Sequence, residues 1–130
     1  MKAIAVVVAA FAVSASLEAH HSFAVFFDEA KNITVTGTVT DFRFTNPHAL
    51  ITVTVTKDGR EETWKGETNA QTLLKRRGWT STSLKAGDVV TIDGWPSRDG
   101  KPYMRVRRVT LADGTVVGGP AGTERSGEQR

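Results

Sequence analysis

ITVTGTVTDFRF, residues 33–44, decides the fold. Ile33, Val35, Gly37 and Val39 alternate with Thr34, Thr36, Thr38 and Thr40, a period of two carried by β-branched residues, as in a strand with one apolar face. After Thr40 the phase flips, because Phe42 and Phe44 take the apolar positions, and a flip of phase within one strand requires a bulge or sharp bend near Asp41. Downstream, Asn46-Pro47 makes a turn, and His48 opens a second strand in which Ile51, Val53 and Val55 alternate with threonines. Asp58-Gly59 is a hairpin signal leading to a third strand, Glu61 to Thr68, centred on Trp64.

The period then changes. Asn69 is a good N-cap, Ala70 to Arg77 contains helix formers with Leu73 and Leu74 apolar, and Gly78 follows a basic last turn. This predicts one short helix that buries Leu73 and Leu74. Leu84-Lys85-Ala86-Gly87-Asp88 turns the chain into a fourth strand, Val89 to Trp95, and Asp99-Gly100 closes a hairpin to a fifth, Tyr103 to Leu111. In the fifth strand Met104 and Val106 share one phase while Val109 and Leu111 share the other, which predicts a second bulge at Arg107-Arg108. The order is three strands, a helix and two strands, with a bent first strand. That is the order of an all-β, OB-fold-like five-stranded Greek-key barrel with one short helix. The apolar segment Ser22 to Phe27 is expected as an extra N-terminal strand folding back on the first.

The chain ends carry different signals. Met1-Lys2, the apolar run Ala3 to Val13 and the small residue Ala19 form a signal-peptide pattern over residues 1–19, too short to span a bilayer. Cleavage between Ala19 and His20 is favoured; a rival cut after Ala15 leaves only two residues behind the apolar core. An exported, periplasmic or secreted domain over residues 20–117 is the consequence. Residues 118–130 hold no hydrophobic residue larger than alanine and read as a disordered tail. Cysteine is absent, which excludes disulfides and thiolate metal sites. The net charge of +3 is only mildly basic and, with export, argues against a nucleic-acid partner. The mature domain contains no membrane span.

Three histidines remain: His20, His21 and His48. A mature chain starting at His20 offers an α-amino group and an imidazole on one residue, which chelate one metal ion together. From Phe27 back to His20 an extended chain covers about 25 Å at ~3.3 Å per residue, which brings the terminus toward the turn that carries His48. Those three nitrogens form a histidine brace, a T-shaped set suited to copper, whose divalent state prefers tetragonal nitrogen ligation. A second mode competes for the same amine, using the second amide nitrogen and the imidazole of His21. The plain alternative is that the histidines are solvated or satisfy turn hydrogen bonds.

Other constellations are weaker. Trp64, Trp79 and Trp95 suggest a stacking platform, though Trp64 reads more readily as core and Trp79 as capping the helix end; Arg76, Arg77, Arg98, Lys101, Arg105, Arg107 and Arg108 suggest either a plain solvated surface or a basic face, the latter fitting an OB module for a partner protein or an anionic envelope glycan without metal. Asp41, Glu67 and Asp93 form no recognisable acid and base pair. With no phosphate loop, nucleophile elbow or Cys/His pair, the sequence makes little case for an enzyme.

His20-His21-Ser22-Phe23, Gly37-Thr38-Val39, Thr45-Asn46-Pro47-His48-Ala49, Arg76-Arg77-Gly78-Trp79 and Leu84-Lys85-Ala86-Gly87-Asp88 together resemble a bacterial exported family of unknown function, number 6152 in the DUF series. The resemblance runs from about His20 to Leu111. It implies an exported single domain in Gram-negative bacteria and supplies no activity. Leu50 departs from it where an aromatic residue is expected.

Overall fold

A computed structural model describes residues 24–118; the expected leader with both expected cleavage positions, His20, His21 and residues 119–130 lie outside the described residues. The alternating segment is β1 (Ile33–Arg43), followed by β2 (Leu50–Lys57), β3 (Arg60–Glu67), a short helix α1 (Gln71–Arg76), β4 (Val89–Pro96) and β5 (Tyr103–Leu111). The strands close into a barrel in the order β1-β2-β3-β5-β4, the OB topology.

β1 serves both halves of the barrel, and its bend is what makes this possible. Its first half pairs antiparallel with β4, from Ile33 opposite Gly94 to Thr38 opposite Val89, and its second half pairs with β2, from Thr38 opposite Thr54 to Arg43 opposite Leu50. The register shifts between Val39 and Asp41, where the phase flip lies in the sequence. The neighbouring turn closes over the bulge: Val39 N–H donates to Asp88 O at 2.8 Å and Gly87 N–H to Val39 O at 2.8 Å. The second bulge is at Arg107, since Asp93 faces Arg108 while Gly94 faces Val106. Asp58 and Gly59 both have positive φ, 52° and 72°, as the tight hairpin demands.

The barrel interior is filled by Val35, Val39, Ile51, Val53, Val90, Ile92, Met104, Val106 and Val109, and Leu74, Trp79 and Leu84 plug it from the helix side. Three local expectations are corrected. Leu74 is 2% exposed but Leu73 is 37% exposed, because a two-turn helix has room to point only one of two adjacent leucines into the barrel. Asn69 does not cap α1; the Gln71 N–H is capped at 3.2 Å by Oδ1 of Asn46, from the turn before β2, while Asn69 Oδ1 accepts from Arg105. The extra N-terminal strand is replaced by a helical turn at residues 24–26 and a single antiparallel bridge, Phe27 to Ser97, at the β4–β5 hairpin. Among the described residues of that stretch Phe27 alone is fully buried; Val25 and Phe26 are 64% and 63% exposed, so apolarity there does not reflect a sheet face. Among the described residues no helix is long and apolar enough to cross a membrane.

Candidate functional site

The barrel closes where the end of β3 meets the start of β5 in parallel, with Lys65 opposite Tyr103, Gly66 opposite Met104 and Glu67 opposite Arg105. Leu50, the first residue of β2, pairs with Glu67 from the other side. Glu67 therefore sits between two strands, and His48, two residues before β2, is delivered to its side chain. Thr68 N–H donates to Ala49 O at 2.9 Å and Ala49 N–H to Asn69 O at 3.0 Å, which clamps residues 48–50 against 67–69.

This backbone brings His48 onto Glu67. His48 Nδ1 lies 2.6 Å from Glu67 Oε1, with side-chain exposures of 31% and 17%. A carboxylate only accepts, so the neutral imidazole carries its proton on Nδ1 and its lone pair on Nε2. The other carboxylate oxygen, Oε2, accepts the phenol of Tyr103. Burial, reinforced by the hydrogen bond to Glu67 and its negative charge, pushes the Tyr103 phenol well above its ordinary range.

Arg105 forms the floor. Its guanidinium donates to the carbonyls of Glu67, at 3.3 Å, and Thr68, and to Oδ1 of Asn69. Burial shifts its pKa down against the opposing pull of Glu67, yet arginine stays charged, and a charge at 9% exposure is tolerated because carbonyl dipoles surround it. Arg105 thus leaves the expected basic face and becomes structural. Phe27 closes the site from the N-terminal side, its ring centroid 5.3 Å from that of Tyr103. Arg98 holds that segment down, giving its Nε–H to Ala24 O at 2.7 Å and its backbone N–H to Phe26 O at 2.9 Å.

Of the three candidate ligands, His48 is thus placed at a half-buried carboxylate, and His20 and His21 lie outside the described residues. Among the described residues no group of three or more His, Cys, Asp or Glu side chains comes together. Glu67 and Tyr103 were missed as site residues. The available signal was topological: an OB barrel closes β3 against β5, which puts the end of one beside the start of the other. Each tryptophan has a partner of its own. Trp79 is core, with its ring 6.0 Å from Phe42; Trp64 Nε1–H donates to Glu62 at 2.9 Å; and Arg107 stacks over Trp95 at 5.1 Å.

The fold and site define a five-stranded OB barrel with a histidine–carboxylate–phenol cluster across its closing seam. Residues 6–104 match a family of unknown function (DUF6152), and the chain belongs to that family. No curated protein matches the chain. Among solved structures it is similar to two crystal forms of the mitochondrial single-stranded DNA binding protein Rim1 from S. cerevisiae. One is 8% identical with a TM-score of 0.48, covering 63% of this chain and 93% of that one. The other is 6% identical with a TM-score of 0.49, covering 72% and 98%.

Proposed function

We propose that this is an exported periplasmic copper-binding protein. Its site is a histidine brace of the His20 α-amine and imidazole, exposed by cleavage after Ala19, with the imidazole of His48 as third nitrogen. The observation that carries the reading is the 2.6 Å contact of His48 Nδ1 with Glu67, since metal-bound imidazoles commonly give their other N–H to a carboxylate, leaving Nε2 as the donor. The path of the chain supports it: Phe27 packs on Tyr103, whose phenol shares that carboxylate, so the segment that leads back to His20 leaves from beside the cluster. Copper is favoured because its divalent ion tops the affinity order and suits tetragonal nitrogen ligation.

Mature protein beginning at His20 should bind one divalent copper with a nitrogen-rich tetragonal paramagnetic resonance spectrum. One extra residue before His20 should weaken binding sharply, because amine and imidazole then belong to different residues. His48→Ala should weaken it as well, and His21→Ala should do little. The rival mode through His21 reverses the ranking of those two variants. Periplasmic material that starts at Ser16 would remove the brace. Equal, weak binding by every form would favour the module for a partner protein or anionic glycan instead, with the exposed Arg107 over Trp95 as its first candidate contact.

A further inference from the structure

Building on the copper reading, we propose that Glu67 is the positioning residue of the site and Tyr103 its anchor, together holding His48 in the Nδ1–H tautomer so that Nε2 is the nitrogen presented to a metal ion. A neutral histidine side chain in water favours the opposite tautomer, with its proton on Nε2. The nitrogen needed for the third arm of the brace is therefore the one that carries the proton by default, and something must reverse that preference.

Glu67 has the geometry to do so. It gives His48 one oxygen at 2.6 Å while Tyr103 occupies the other, so the carboxylate is held at both ends and has no rotation that keeps both bonds. Its backbone is held as firmly: Glu67 is laddered to Leu50 on β2 and to Arg105 on β5, and its carbonyl accepts from the Arg105 guanidinium at 3.3 Å. The residue that orients the imidazole is thus tied to the strand leaving His48 and to the strand bearing Tyr103. Outer carboxylates of this kind fix ring orientation and raise the basicity of the ligating nitrogen. Tyr103 is bonded to the Glu67 carboxylate and acts on His48 through it. Its phenol is a suitable anchor because it occupies the carboxylate oxygen that His48 does not use and stays a donor across the physiological range.

The first test needs no variant. Mature apo protein labelled with nitrogen-15 is held near pH ~8, above the ordinary histidine range. The His48 ring, assigned by its loss in His48→Ala, should show the Nδ1–H pattern in long-range proton–nitrogen correlation; an Nε2–H pattern overturns the proposal. In Glu67→Ala the ring should revert toward Nε2–H and copper affinity, measured by chelator competition, should fall about 10- to 100-fold. Tyr103→Phe should weaken copper several-fold while the barrel still melts cooperatively, and it serves if Glu67→Ala does not fold. A folded Glu67→Ala that keeps the Nδ1–H tautomer, or binds copper within about twofold of the parent, also overturns the proposal. Failure of the copper reading looks different: parent and His48→Ala then bind copper equally, and the tautomer measurement alone decides the role of Glu67.

Discussion

His48 Nδ1 lies 2.6 Å from Glu67 Oε1, a contact between the residue that leads into β2 and the last residue of β3. The other oxygen of that carboxylate takes the phenol of Tyr103, so three segments of the barrel meet at one side chain. Polar groups at this depth constrain one another, because removing any one leaves a neighbour unsatisfied.

Tyr103 is the chain's one tyrosine, which gives the cluster a clean optical reporter. Its pKa is raised above the ordinary 10.0 in the folded state. The unfolded state therefore loses the phenolic proton first, and the stabilisation is complete below pH 10.0 and drains away as pH rises toward the folded value. Tyrosinate absorbance should rise together with loss of the native circular dichroism. Ionisation near the ordinary value with the barrel intact would contradict this environment.

Leu74 plugs the barrel while Leu73 stands beside it at the surface. Leu74→Ala should cost about 2–5 kcal/mol in a denaturant titration, and Leu73→Ala less than about 1 kcal/mol. Equal costs would mean that α1 is rotated.

Asn46 caps a helix to which it does not belong. Asn46→Ala should destabilise by about 0.5–2 kcal/mol, and Asn46→Asp, which keeps the accepting oxygen, should restore most of it. Thermal melts of the two variants provide the check.

Gly94 faces the second bulge so closely that a Cβ there would lie 2.1 Å from the carbonyl oxygen of Arg105. Backbone cannot swing aside as a side chain does, so Gly94→Ala should cost at least about 1–3 kcal/mol. It should also disturb the Arg105 side chain, visible as shifted amide resonances at Thr68 and Asn69.

What the sequence revealed was whatever a single strand states about itself. The phase flip after Thr40 and the mismatch between Val106 and Val109 located both bulges, and Asp58-Gly59 located a hairpin, because each is a local departure from period two. The order of elements was then enough for the barrel. His48 stood out by residue type alone. Its partner Glu67 comes from the register of the β2–β3 hairpin, and the third member, Tyr103, meets Glu67 only after β3 has paired with a strand that is not its neighbour in the chain. Arg105 looked like any surface arginine on an alternating strand until the carbonyls of residues 67 and 68 and the Asn69 side chain closed around it. The stretch before Asp28 misled for the opposite reason: its run of apolar residues suggested a sheet face, whereas among its described residues one ring, Phe27, reaches the core.

The seam between β3 and β5 is held by three parallel residue pairs, whereas β2 and β3 share eight, from Leu50–Glu67 to Lys57–Arg60. A barrel with one short joint opens there first, so the side chains of Tyr103, Arg105 and Glu67 act as its clasp. Native-state hydrogen exchange should register this as a sub-global unit, with amides flanking the clasp exchanging before those of the β1–β2–β3 meander. Any ligand gripping His48 and the chain entering at Phe27 would bridge the same joint from outside, so its binding would be read as slowed breathing of the barrel wall.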